Sequence, residues 1–413
     1  MTSQPGTRAF QLAAGLAAVC CLAIAGCAST VSLTARQGTA KAPGSPTGPA
    51  PQPVAAVASP APSVGVRSRL AGFEPVAASF ISVREGWVLG KDGCQTCAGL
   101  LGSFDGGRRW HGLPIPPTAI GVSTVTGNSA SNVAFADAAN GFLYGPALLV
   151  THDGGRSWIR EALPPVTELV VTSGHAFALT LTARTMVAAL WRTTIGSRQW
   201  TRLPLPPGVV HAHLYDFPGQ LQLYLAGNRL VLLQRGSNSM AVNSRSVGRL
   251  WISTVGGAGW RSRPMPCRPP AGGAAALSVA LGHPDAWLLD CFDNEQSSQE
   301  RDTENSLYGT ADGGQSWIRL PDPTRHNLPV SLADNGTEHA FLATEGVHDQ
   351  LLGTFDGGLH WRLLISSGGS FDGWADLTFL TADVGYVVAP VSNPPEHLYS
   401  THDGGMTWRV VRL

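Results

Sequence analysis

A chain of 413 residues that is 43% hydrophobic and 14% charged, with 49 Gly and 30 Pro, is too rich in turn formers for a mostly helical protein and lacks the period of collagen. Lys plus Arg and Asp plus Glu balance at 28 each, so no summed field draws the chain to nucleic acid or to an anionic surface, and no nucleic-acid partner is expected. Only Lys41 and Lys91 are lysines, an arginine bias that reflects nucleotide composition more than function.

The first element is a targeting segment. Arg8 is the one basic residue ahead of a mostly apolar run from Ala9 to Ala25, which is short for a membrane span and ends in small residues, as a cleaved signal does. The run closes on Ile24-Ala25-Gly26-Cys27, which resembles the bacterial lipoprotein box. The resemblance implies that residues 1–26 are removed and that Cys27 is diacylated as the first mature residue. The membrane then becomes a partner through the anchor, on the extracytoplasmic side of the cell membrane. Two acyl chains suffice for stable attachment where one is marginal.

From residue 27 to 72 the chain is mostly Ala, Pro, Ser, Thr, Val and Gly, as in Lys41 to Ser63. Such a segment has too few large apolar groups to offset the entropy of ordering, and its prolines favour an extended polyproline II path. It reads as a tether able to hold a domain up to ~100 Å from a bilayer, at about 3 Å per residue.

The folded part, 73–413, is built on one repeat. Ser103 to Trp110 reads SFDGGRRW, Thr151 to Trp158 THDGGRSW, Thr310 to Trp317 TADGGQSW, Thr354 to Trp361 TFDGGLHW and Thr401 to Trp408 THDGGMTW. Two worn copies, Thr193 to Trp200 and Ser253 to Trp260, replace the Asp with Ile195 and Val255. Short apolar runs precede several copies: Val76 to Val83 then Gly86 to Gly90, Val133 to Ala136 then Gly141 to Tyr144, Leu377 to Leu380 then Gly385 to Val388. Each unit therefore predicts four strands, A to D, with Asp-Gly-Gly as the C-to-D turn. The tryptophans recur every 42 to 60 residues, the spacing of propeller blades with variable loops. The expected fold is all-β: a seven-bladed propeller of four-stranded antiparallel blades, with blades near 73–116, 117–165, 166–206, 207–264, 265–322, 323–366 and 367–413. The last strand, Trp408 to Leu413, is expected to complete blade 7 without a strand from the N-terminal side.

The motif S/T-x-D-G-G-x-x-W resembles the Asp-box of the bacterial neuraminidase repeat, and the domain is similar to the propellers of that kind grouped with photosystem II assembly factors. Such repeats also occur in sialidases, sortilin-type receptors and xyloglucanases, so the resemblance speaks for fold more than for function. Asp105, Asp153, Asp312, Asp356 and Asp403 are expected to be structural, each accepting hydrogen bonds from its own turn while Gly supplies positive φ and Trp packs between blades. Equivalent acids spread around a ring cannot converge on one substrate.

Function should lie on the opposite face, where B-to-C and D-to-A connections emerge. The B-to-C connections carry extra residues: Lys91 to Ala98, Arg235 to Arg249, Cys291 to Ser306 and Val391 to His397. Loops of this length in a compact domain are more often functional than structural. The blade 5 connection carries Asp293, Glu295, Glu300, Asp302 and Glu304 against Arg301, and that of blade 4 carries Arg235, Arg245 and Arg249. These loops are either plain solvated surface or a polarised rim for a protein or glycan partner. Phe371 and Trp374 are candidate stacking surfaces.

Of the seven Cys, Cys20 and Cys21 leave with the signal and Cys27 takes lipid. Cys94 and Cys97, and Cys267 and Cys291, remain for two disulfides in an oxidising compartment, with a redox or metal role for the Cys94-Cys97 pair as the alternative. His211-Ala212-His213 has no further ligands at useful spacing, so no metal and no cofactor are expected; His152 and His402 are expected to be solvated. Sialidase chemistry needs an arginine cluster, a tyrosine activated by a glutamate and an acid; the Arg-Ile-Pro motif that sialidases usually carry is absent, and Tyr144 and Tyr386 read as core positions. No catalytic residue is assigned. The expectation is a non-enzymatic surface lipoprotein that binds an envelope protein or assists assembly, with a glycan-binding module or sialidase-like hydrolase as the alternative.

Overall fold

The computed structural model describes residues 72–413 apart from 95–96, 117–118, 121–128, 146, 183–186, 208, 210–220, 236, 240–243, 247, 255, 268–271, 294–303, 325–326, 337, 347, 369–373 and 390–396. Cys27 and the 27–72 tether's first 45 residues, to 71, lie outside the described residues, as do His211 and His213, Glu295, Glu300, Arg301, Asp302 and Phe371.

The chain forms a seven-bladed β-propeller of four-stranded antiparallel sheets. Blade 1 is Phe73–Phe80, Gly86–Asp92, Ala98–Ser103 and His111–Leu113; blade 2 is Asn132–Phe135, Gly141–Tyr144, Leu149–Thr151 and Ile159–Arg160. Blade 3 is Val166–Val171, His175–Thr182, Val187–Thr194 and Thr201–Leu203; blade 4 is Leu221–Ala226, Arg229–Gln234, Arg249–Ile252 and Arg261–Arg263. Blade 5 is Gly272–Val279, Trp287–Asp293, Glu304–Thr310 and Ile318–Leu320; blade 6 is Leu328–Asp334, Ala340–Glu345, His348–Thr354 and Trp361–Gly368. Blade 7 is Ala375–Phe379, Gly385–Ala389, His397–Thr401 and Arg409–Val410. The blade 6 D strand runs two residues past the expected limit at 366.

Burial follows from position in the blade. B strands are mid-sheet and covered by a neighbouring blade on both faces, so they read as unbroken apolar runs: Trp87, Val88 and Leu89 are all fully buried. D strands are outermost and mostly exposed, as in Ile159–Arg160 and Arg409–Val410.

Neighbouring blades meet through a repeated aromatic contact. The last residue of one A strand stacks on a B-strand ring of the preceding blade: Phe135 on Trp87 at 3.7 Å, and Phe379 on Phe341 at 4.7 Å between centroids. Phe80 stacks on Tyr386 in the same way at 3.6 Å, so blades 7 and 1 close the ring with the contact used elsewhere. Phe73, Val88, Leu101, Trp110, Val388 and Leu398 fill that seam. Each of these two blades is made of consecutive strands, so closure uses no strand exchange. A hydrogen bond from backbone to side chain adds to it: Ala78 N donates to Asp376 Oδ2 at 2.6 Å. Gly86 is required beside the seam, because a Cβ there would lie 2.0 Å from the Phe80 ring.

Candidate functional site

The two faces of the ring differ in their connections. On one face, each Asp-Gly-Gly turn closes on itself. In blade 2, Asp153 Oδ1 accepts from Arg156 N and Ser157 N at 2.9 and 2.8 Å, and Oδ2 accepts from Ser157 Oγ at 2.6 Å. Thr151 Oγ1 donates to Asp153 and accepts from Gly155 N, bridging both ends of the turn. Blades 5, 6 and 7 repeat this at Asp312, Asp356 and Asp403, and blade 1 at Asp105 through Arg109 N. Burial raises the Asp153 and Asp312 carboxyls, but these hydrogen bonds outweigh it and hold both at about 2. Asp356, bound first by the His360 backbone N–H, is also lowered to about 2.

The tryptophans do pack between blades, and three share a detail that the motif does not spell out. Trp158, Trp260 and Trp317 donate Nε1 to the carbonyls of Pro114, Pro204 and Pro264, the residues just after the preceding blade's D strand. A Pro four residues after each of Trp110, Trp200 and Trp260 was the available signal. In the worn blade 3 copy, the partly buried Ile195 packs against the apolar core and Thr193 Oγ1 turns to the Ser197 carbonyl instead of an Asp. Val255 lies outside the described residues. His152 differs from expectation: its Nδ1 pairs with Asn140 Oδ1 at 2.8 Å and its Nε2 is buried, because the ring folds against the adjoining turn instead of facing water.

The other face carries the elaborations. In blade 1, Cys94 and Cys97 form a disulfide inside the B-to-C hairpin. In blade 4, Ser237–Ser239 and Ser244–Ser246 pair as a separate two-stranded ribbon, placing Arg245 opposite Asn238. Arg249 opens the C strand and is exposed. In blade 5 the strands extend further than the sequence implied, so that Asp293 and Glu304 are paired across the ladder. Cys267 and Cys291 are joined, with Cα atoms 5.3 Å apart, and close a 24-residue separation. Such a link contributes about 3 kcal/mol in the chain-entropy model.

Trp374 is a correction. It is 6% exposed, packed among Phe341, Leu377 and Val387, and donates Nε1 to Thr344 O at 3.2 Å. Its indole tethers the start of blade 7 to blade 6, so it offers no stacking surface.

The structure brings together a group that motif reading did not. A strands line the central channel, and five of them enclose a cavity of about 410 Å³ bordered by Glu168, Gln222, Tyr224, Ser278, Ser331 and Asp376. Burial pushes Glu168 up to about 8 against the opposing pull of Arg235. Burial also raises Asp376 to about 6, although Ala78 N bonds to it. Tyr224 is raised by burial and then by Glu168, and its hydroxyl donates to Gln222 at 2.9 Å. Tyr144, read as a core position, is half-buried and feels both Glu168 and Asp376. Arg235 therefore acts on the channel from the root of the blade 4 insertion, rather than standing only on the rim. Asp376 has φ of 50°, a strained region for a non-glycine residue, where the blade 7 A strand breaks register. Glu168 in Val166–Val171 was the legible clue: an acid in an inner strand of otherwise mostly apolar residues.

Such an arrangement can accept a polar ligand or side chain. A glutamic acid that is neutral near pH 7 donates a hydrogen bond, while tyrosine, serine and glutamine groups supply both donors and acceptors. Among the described residues, no group of three or more His, Cys, Asp or Glu side chains is placed to hold a metal. No helix among them is long and apolar enough to cross a membrane.

No protein-family model matches the chain. A xyloglucanase from Paenibacillus sp is 25% identical over 256 residues, covering 53% of this chain and 23% of the relative. The chain thus spans less than a quarter of that relative's length. The structure of YCF48 from Cyanidioschyzon merolae is similar with a TM-score of 0.51 at 16% identity, over 80% of this chain and 94% of that one. A prolyl endopeptidase structure gives 0.53 at 12% identity, over 82% of this chain and 49% of that one. These likenesses are to propeller-containing proteins of both enzymatic and non-enzymatic kinds, and what they share with this chain is the fold.

Proposed function

We propose that this protein is a lipid-anchored, extracytoplasmic propeller that binds a protein partner on the face opposite the Asp-Gly-Gly turns and performs no catalysis of its own. The observation that carries this reading is the asymmetry of the ring. The C-to-D turns are short and self-satisfied, whereas the B-to-C connections of blades 1, 4, 5 and 7 are enlarged, one by a disulfide and one by an added ribbon. A rigid ring with elaborated loops on one side is suited to recognition. Residues 1–26 act as a lipoprotein signal, Cys27 as the lipid acceptor and 28–72 as the tether. Asp293, Glu295, Glu300, Asp302 and Glu304 on blade 5, with Arg235, Arg245 and Arg249 on blade 4, give the rim adjacent patches of opposite sign that fix a partner's orientation. The seven Asp-box-like repeats serve as the scaffold.

The test is in-cell cross-linking and affinity purification of the full chain beside a variant in which residues 293–304 are a Gly-Ser loop of equal length. Recovery of one protein with the native chain and its loss with the variant supports the reading; recovery with both moves the interface off this loop.

A glycan is the second reading, favoured by the partial similarity to a xyloglucanase and by two channel carboxyl groups, Glu168 and Asp376, in one cavity. Binding and hydrolysis of xyloglucan by the purified chain, and by Glu168→Gln, decide it. Turnover lost in the variant would make the protein a hydrolase, and binding without turnover a carbohydrate-recognition module.

A further inference from the structure

Blade 5 holds a set of buried oxygens apart from the channel carboxyls. Asp290 lies in the B strand between Leu289 and Cys291, is 0% exposed, and neither of its oxygens accepts a hydrogen bond from the described residues. Asp290 pairs with Leu307 and Phe292 with Asn305, so alternation puts the Asp290 and Asn305 side chains on the same face, one row apart. That face packs toward blade 6 through Leu288, Leu307 and Leu320.

Asn305 is held in one orientation. Its Nδ2 donates to Thr324 O and Thr324 Oγ1 at 2.8 Å each and to Asn327 O at 2.7 Å. A flipped amide would face those three acceptors with its oxygen. The Oδ1 atom is therefore fixed, buried and without a donor. Asp322 follows the D strand, and its Oδ1 accepts from Thr324 N at 2.6 Å and Thr324 Oγ1 at 2.8 Å. Its Oδ2 is buried and has no donor either. Thr324 Oγ1 thus bridges Asn305 and Asp322, while Asp322 acts on Asp290 with charge of the same sign.

Four buried acceptor atoms, three of them on two carboxyl groups and one on an amide, stand here without a donor among the described residues. An unpaired buried carboxylate is costly, and removal from water is offset only by opposite charge or hydrogen bonding. One water donates two hydrogen bonds and brings no charge. We propose that Asp290, Asn305 and Asp322 form a binding site for a hard divalent cation of the calcium type, between the sheet of blade 5 and the connection that leads to blade 6. The donors are all oxygen, which disfavours thiophilic metals. Calcium accepts carboxylate and amide oxygens in irregular geometry, whereas magnesium retains several waters that a fully buried Asp290 does not accommodate. The ion ties the B and C strands to the connection carrying Asp322, Thr324 and Asn327, and so fixes the junction of blades 5 and 6.

The full chain is stripped with a chelator, its calcium content is measured by elemental mass spectrometry after re-equilibration, and Tm is followed against added Ca²⁺ or Mg²⁺. One tightly held equivalent and a saturable Tm rise of about 2–5 °C with Ca²⁺, larger than with Mg²⁺, are expected. Asp290→Asn should abolish the response. Asp322→Asn, at a position on the connection rather than in the sheet, should weaken the apparent affinity by at least about tenfold. Should Asp290→Asn fail to fold, the native metal content and the Asp322 variant decide. No retained calcium and no Tm shift up to about 10 mM, above the range of extracellular calcium modules, overturns the site in favour of a proton or water. A response unchanged in the variants overturns it by placing the ion elsewhere.

Discussion

On the turn face, Asp153, Asp312 and Asp356 collect hydrogen bonds within their own turns and are held at about 2; inside the channel, Glu168 and Asp376 sit at about 8 and 6 because burial is met by few donors. The same functional group is thus used in two ways on one scaffold. Where a carboxylate is satisfied within its own turn it stabilises the chain and has nothing left to offer a ligand. Where it is drawn out of water with few donors its charged form costs stability, and it keeps capacity to bond to a ligand. Repetition separates the two: a role needed in every blade recurs, and a role needed once does not.

The largest expected break in this comparison is at the turn face. Gly405→Ala places a Cβ 2.1 Å from the Phe341 ring, which is fully buried, at a backbone φ of +84°. Overpacking plus left-handed strain should cost about 3–5 kcal/mol by denaturant unfolding. A loss below about 1 kcal/mol would mean that the blade 6–7 seam yields easily. Asp403→Ala comes next. It removes bonds from Thr407 N, Thr407 Oγ and Thr401 Oγ1 and should cost about 1–2 kcal/mol with partner binding unchanged. Loss of binding at unchanged Tm would move function to the turn face.

The smallest effect at fixed pH, and the sharpest test of the contrast, is Glu168→Gln. The folded chain raises this carboxyl from 4.5 to about 8, so it binds more protons than the unfolded chain across that window. Its contribution is full below about pH 4.5 and fades as pH rises through about 8. The lowered turn carboxyls act oppositely: their contribution is present above 3.8 and lost as pH falls toward about 2. A Tm profile should therefore decline toward acid below about 3.8 and again as pH rises from about 4.5 to about 8, with Glu168→Gln flattening only the second span. A second span unchanged by that substitution would show that the channel carboxyl is not raised.

Legibility followed the same division. The repeat of Asp, two glycines and Trp at constant offsets located the C-to-D turns, because a tight turn depends on residues a few positions apart and leaves its full chemistry in a short segment. Cysteine parity anticipated both disulfides for a similar reason: few partners were available. Trp374 was misread as surface because an aromatic residue in a glycine-rich connection looks exposed until the neighbouring blade is placed against it. His152 was misread in the same way.

By itself, then, the sequence determined a ring of seven units, the order of strands within each and the face on which each turn lies. Those features arise from local turn chemistry, alternation along strands and the count of repeats. The tertiary structure decided which single residues meet. Glu168, Tyr224, Arg235 and Asp376 come from three blades, while Asp290 and Asn305 come from two strands and Asp322 from the connection after a third, which periodicity alone cannot bring together. Burial and electrostatic field depend on everything packed within several ångströms, and closing a ring brings the most distant parts of a chain into that range.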